Sequence, residues 1–274
     1  MKKSIFHYNI SEVAPYIDWS YLLHAWGISN EKTKESAEEI IQDAKNILKE
    51  LNNKYQTHAL FALCEAKGNG DNITVESSDI PLLRQQHSLP GKPNICLSDF
   101  VSPNGDNIGL FATTVDNDFG KEYNNDTYRH LLVQTLADRL AEATATVMHM
   151  QIRTDKQLWG YAPNEKLSIA ELLAEKNQGI RPAVGYPSLP DQSIIFKIDE
   201  ILKLNNIGIT LTPNGAMHPH ASVCGMIFAH PQARYFAVGQ ITAEQLADYA
   251  QRCGKSIDNI KKFLTKNIDT VYNG

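Results

Sequence analysis

The chain has 274 residues, 42% of them hydrophobic and 21% charged, with a formal net charge of −5. This balance excludes a low-complexity polymer, and an acidic chain without a basic stripe argues against a nucleic-acid backbone as partner. Ser4 to Asn9 lack the apolar run of a signal peptide, and no segment approaches the length of a membrane span, so a cytoplasmic protein without membrane contact is expected. No long Ser-, Gln- or Glu-rich tract interrupts the chain, and residues 1–274 are expected to form a single domain. Cys64, Cys96, Cys224 and Cys253 lie far apart with no C-x-x-C pair, which predicts reduced and mostly buried thiols.

In chain order, residues 31–54 place Ile40, Ile41, Ala44, Ile47, Leu48 and Leu51 opposite acidic and basic side chains, the repeat of an amphipathic helix. Thr57 to Ala66 and Ile73 to Glu76, separated by Lys67-Gly68-Asn69-Gly70-Asp71, predict a hairpin. A third strand is expected over Ile108–Val115. The longest helix is expected over 125–153, rich in Ala and Leu and free of Gly and Pro. Ser168 and Glu171 form a capping-box pattern ahead of a short helix that ends before Gly179. Residues Gln192–Leu204 have helical periodicity and Ile207–Leu211 looks extended. Ser222–Ala229 and Tyr235–Ile241 are expected to form a second hairpin, leading into a capping box at Thr242 and Gln245. Ser256 is expected to cap a last helix with Ile257, Ile260 and Phe263 facing inward. Strands arriving as hairpins predict an α+β fold, an antiparallel twisted sheet with flanking helices.

Between the helices, residues 179–192 read Gly-Ile-Arg-Pro-Ala-Val-Gly-Tyr-Pro-Ser-Leu-Pro-Asp-Gln. Three prolines and two glycines exclude both helix and central strand, so this is a stiff, built loop. Such a loop either fixes the Arg181 fork beside Tyr186 to grip an anionic ligand, or is a rigid connector with a solvated arginine. Asp138 and Glu142, four apart, share one face of the long helix; small neighbours leave room for a ligand, although the pair also suits a solvated helix edge. His218 and His220 lack a nearby third ligand, so surface histidines are favoured over a metal site. The chain has no G-x-G-x-x-G, no D-x-H-x-x-G and no cysteine cluster.

Arg181-Pro182-Ala183-x-Gly185-Tyr186-Pro187 resembles the S-adenosylmethionine-binding loop in the activation domain of cobalamin-dependent methionine synthase. The resemblance continues in the same order through Tyr16-Ile17-Asp18-Trp19, Cys96 to Val101, Asp106 to Gly109, Leu136 to Ala143, Trp159 to Glu165, Ala221-Ser222-Val223 and Tyr235 to Val238. It implies a site made by Asp18, Glu142, Glu175, Arg181, Ala183, Tyr186, Tyr235 and Phe236. That charge set suits a ligand with one carboxylate, one ammonium and one sulfonium. It further implies a stand-alone activation domain with S-adenosylmethionine as methyl donor. Cobalamin would come from a separate methionine synthase polypeptide and an electron from a flavodoxin-type donor, and reductive methylation would restore the inactive cofactor. A sensor or docking module without methyl transfer, and an independent methyltransferase for a small nucleophile, are the alternatives, so whether the chain is itself an enzyme stays open. The chain departs from the family pattern at Pro190-Asp191-Gln192, where Pro-Glu-His is common, and at Met217 to His220, where a Trp and a Gly are usual.

Overall fold

A computed structural model describes residues 1–28, 34–87 and 91–264; the N-terminal end of the expected helix at 31–33 lies outside them. The chain opens with β1 (Lys2–Asn9), then two short helices, α1 (Ile10–Val13) and α2 (Trp19–Ala25), and α3 (Lys34–Leu51). Next come β2 (Gln56–Asn69), β3 (Asn72–Val75), β4 (Ser78–Pro81) and β5 (Asp106–Val115). The long helix α4 (Thr127–Thr154) and the short α5 (Ile169–Leu173) precede the proline-rich loop. After it lie α6 (Ile194–Leu202), β6 (Thr210–Leu211), β7 (Met217–His218), β8 (Ser222–Ile227), α7 (Ala243–Arg252) and α8 (Ile257–Lys261).

The architecture is the α+β fold expected. A fully antiparallel sheet runs β4-β3-β2-β5-β8, and β1 pairs with the first half of β2. Because Ala66 pairs with both Val75 and Asp106, β3 and β5 lie on opposite edges of β2, and β1 shares the β3 edge. Alternation along β2 and β5 sends Ala59, Phe61 and Phe111 to the face covered by α1, α3 and α4. Leu60, Ala62, Leu110 and Ala112 go to the other face, covered by α6 and residues 95–101. A third apolar cluster joins α7 and α8 to Leu83, Val238 and Ile241.

Helix α4 begins where Asp126 accepts from the Arg129 N–H at 3.0 Å, and its 28 residues cross β2, β5 and β8. Ser168 and Glu171 form the reciprocal capping box at α5, and Ser256 caps α8. Thr242 caps α7, but the Gln245 amide does not complete a box. It donates instead to the Arg84 carbonyl at 2.7 Å. The four cysteines are free, three of them buried and Cys253 half-buried.

Several expectations are corrected. Strand β1 was not anticipated, because an edge strand of mixed polarity, KKSIFHYN, carries only a weak alternation. Of Ile207–Leu211, only Thr210–Leu211 is strand; the preceding residues form a 3₁₀ turn closed by Gly208. Ile257 opens its short helix on the solvent side at 41% exposure, leaving Ile260 as its buried residue. The hairpin of 222–229 with 235–241 does not form. The free edge of β8 is taken by the proline-rich loop, through hydrogen bonds from Ile180 and Phe228 to each other's carbonyls at 3.0 and 2.9 Å, from Val184 to Cys224 at 2.9 Å and from Met226 to Pro182 at 3.1 Å. Residues 235–240 are therefore irregular and run over the loop, where Ser188 bonds both backbone groups of Phe236 and Val238 donates to the Pro187 carbonyl at 2.9 Å.

This edge pairing requires a glycine in β8. A Cβ at Gly225 would overlap the Pro182 carbonyl oxygen and press on Ala183 and the Phe111 ring. Gly225→Ala is expected to destabilise the fold by about 1–3 kcal/mol, the cost of forcing atoms into a filled interior, as measured by urea unfolding.

Candidate functional site

All eight residues singled out from sequence line one cleft. It has a volume of about 550 Å³, between α4, the α5 end, the N-terminus of α2 and the proline-rich loop. Its floor is β5 and β8, through Phe111 and Val223. Asp18 enters as the N-cap of α2, where its Oδ1 accepts from the Ser20 N–H at 2.9 Å and the Ser20 hydroxyl at 2.5 Å. It is thus both a cap and a cleft wall. Glu142 stands on α4, and its carboxylate accepts from the Tyr186 hydroxyl at 2.7 Å. Glu175 follows the C-cap of α5 with φ of 54°, the left-handed conformation that glycine usually fills. A side chain is held at that position despite the backbone cost.

Arg181 is half-buried. Its backbone N–H donates to the Tyr235 hydroxyl at 3.0 Å, and its Nη2 donates to Thr146 Oγ1 at 2.9 Å. Neither Nε nor Nη1 bonds a described residue, so both are donors available to a ligand. Ala183 is bridged to Gly225, which sets the loop backbone on the cleft floor. Phe236 is held through its backbone by Ser188. Tyr16, Tyr21, Arg139, Thr146, Leu172 and Ser188 also line the cleft and were not anticipated. For Thr146 a signal existed: Glu142, Thr146, His149 and Arg153 recur at spacings of four, three and four, one polar stripe along the helix.

Beneath the cleft the segment 159–178 ties the loop to α4. Arg153, fully buried, pairs with Glu165 at 2.7 Å, and the other oxygen of Glu165 accepts from the Gln178 N–H at 2.9 Å. His149 Nε2 lies 2.7 Å from the Tyr161 hydroxyl, which reaches the Gln178 carbonyl at 3.4 Å. Placing the imidazole proton on Nε2 satisfies this chain of donors and leaves only a bare acceptor at the unpartnered Nδ1, less costly than an orphaned N–H. Burial, with the Arg153 and Arg181 charges adding to it, holds the His149 pKa well below its ordinary 6.5.

The positions that break the family pattern lie outside this arrangement. Gln192 is beneath the loop, its Nε2 donating to the Gly215 carbonyl at 2.8 Å and its side-chain oxygen occupying the space a Cβ on Gly185 would need. Asp191 is buried and accepts from the Tyr249 hydroxyl at 2.6 Å. His218 pairs in β7, and the exposed His220 lies 3.6 Å from Asp138. The described residues contain no group of three metal-ligating side chains and no helix long and apolar enough to cross a membrane.

Residues 9–254 match the family described as the activation domain of vitamin B12 dependent methionine synthase. The chain belongs to that family. Its fold superposes with a TM-score of 0.91 on a crystal structure of the MetH reactivation domain bound to AdoHcy, at 34% sequence identity, covering 99% of this chain and 91% of that one.

Neutral His149 makes stability acid-sensitive. The unfolded chain takes up the imidazole proton near pH 6.5 while the folded protein does not, so stability falls as pH drops through that value. The slope from this group is up to about 1.4 kcal/mol per pH unit. His149→Gln should remove it, so that the stability gap between wild type and variant narrows from pH 7 to pH 5.5 in urea titrations.

Proposed function

We propose that the cleft binds S-adenosylmethionine and presents its methyl group to a cobalamin held on a separate methionine synthase polypeptide. One observation carries this reading: the Arg181 guanidinium and three carboxylates, Asp18, Glu142 and Glu175, converge from four separate segments on one cleft of ligand size, while Arg139, which also lines it, lies over the Tyr21 ring. Arg181 with this acidic trio suits a molecule that carries one carboxylate and two cationic centres. The relative solved with AdoHcy, the demethylated form of this donor, supports the same reading. In this scheme Arg181 takes the carboxylate, the acidic trio faces the ammonium and sulfonium, and Tyr186, Tyr235, Phe236 and Ala183 shape the walls.

The partner's cobalamin supplies the methyl acceptor, reduced by one electron from a flavodoxin-type donor. Methyl transfer from a sulfonium moves no proton, so the residues of this chain act by holding the ligand at a fixed distance and angle. We further propose that residues 1–274 act as one activation domain in the cytoplasm.

The isolated protein should bind S-adenosylmethionine without added metal or cobalamin, as measured by isothermal titration; no binding at millimolar ligand would remove the reading. Arg181→Ala should weaken binding by about 2–3 kcal/mol, the range of a charge-assisted contact. Glu175→Gly should also weaken it while raising fold stability by about 1 kcal/mol, because glycine relieves the left-handed backbone.

The reactivation role is tested by mixing the protein with a cobalamin-loaded methionine synthase fragment, reduced flavodoxin and methyl-labelled S-adenosylmethionine. Labelled methylcobalamin is the expected product. Intact ligand binding with no labelled product would favour a sensor or docking module.

A further inference from the structure

The polar stripe of α4 uses each of its four side chains differently. Glu142 meets Tyr186, and Arg153 and His149 fix Gln178 from both its backbone groups through Glu165 and Tyr161. Thr146 is the member that touches Arg181 itself. It is 7% exposed, and its hydroxyl also lies 3.3 Å from the Glu142 carbonyl one turn back. A threonine hydroxyl has one proton. The Arg181 guanidinium has no lone pair to accept it, whereas the Glu142 carbonyl does, so the proton goes to the helix and the oxygen presents a lone pair to Nη2.

The orientation is thus fixed by the helix backbone and does not depend on a bound ligand. A carboxylate at this position would pair with Arg181 and compete with an anionic ligand; an alkyl side chain would leave Nη2 without its acceptor. A neutral hydroxyl anchors one nitrogen and leaves the charge of the fork uncompensated.

On the reading that Arg181 grips the ligand carboxylate, we infer that Thr146 is a positioning and specificity-determining residue: it holds the guanidinium so that this cleft selects S-adenosylmethionine over a ligand lacking the carboxylate. The backbone of Arg181 is already held by Tyr235 and by the pairing of residues 180–184 with β8. The Thr146 contact therefore governs where the fork points, not whether the loop is present.

The test uses the full chain and two ligands, S-adenosylmethionine and its decarboxylated analogue, with affinities from isothermal titration. Thr146→Val, which keeps the shape and removes the acceptor, should weaken S-adenosylmethionine binding about tenfold or more and leave the decarboxylated analogue unchanged. Thr146→Ser, which restores the hydroxyl, should bring S-adenosylmethionine back to within about threefold of wild type. Equal weakening of both ligands would mean general damage to the cleft, and no change for either would mean that Arg181 needs no anchor; each result overturns the role. Wild-type protein that binds neither ligand would instead remove the reading on which the inference rests.

Discussion

The contact on which the site depends is backbone against backbone: the segment 180–184 laid along the free edge of β8, with Gly225 admitting the Pro182 carbonyl. A sheet edge left open is a row of unpaired donors and acceptors. Here that row is capped by the very segment that carries Arg181 and Ala183, so edge protection and site placement are one event. The proline at 182 suits this arrangement. It removes an N–H where only its carbonyl is used and fixes φ next to the residue whose side chain must enter the cleft.

The second support is electrostatic and lies inside the protein. A 28-residue helix buried along much of its length would ordinarily be apolar on its inner face, yet α4 carries Glu142, Thr146, His149 and Arg153 there. Burying such groups is costly unless they are paired. Arg153 is matched by Glu165, and His149 stays neutral between two guanidinium groups and passes its hydrogen bond to Tyr161. The motif from Trp159 to Glu165 supplies both partners, and Trp159 stacks on Phe61 of the sheet. Residues that carried the family resemblance without any chemistry of their own therefore form the frame under the cleft.

Much of this was legible in the sequence for identifiable reasons. Helix α3 was visible because its apolar repeat runs for many turns, α4 because a long stretch is rich in Ala and Leu and free of Gly and Pro, and α5, α7 and α8 because Ser168, Thr242 and Ser256 announce their starts. The site residues other than Glu175 lie in ordered motifs, and the structure brings all eight to one cleft. What local pattern could not supply was partnership across the chain. Tyr235 to Ile241 reads as a strand, but strand status needs a free neighbour, and the loop had already taken the edge of β8. Strand β1 was missed for the opposite reason, since its pairing with β2 compensates a weak pattern. Thr146 was overlooked although it lies on the polar stripe of α4, because the stripe alone does not say which of its members faces Arg181.

The walls of the cleft come from Asp18 near the start of the chain and Tyr235 near its end, with α4 and the loop between. Local pieces such as β2 with β3, or α4 alone, close over short stretches of chain. Bringing the α2 cap opposite the loop requires closure over most of the polypeptide, and such contacts form late because their entropy cost comes before their reward. During synthesis the cleft therefore cannot be complete until β8 and the segment after it have emerged. Nearly all of the protein must be native before the cleft exists, so the cleft itself is a mark of the completed fold.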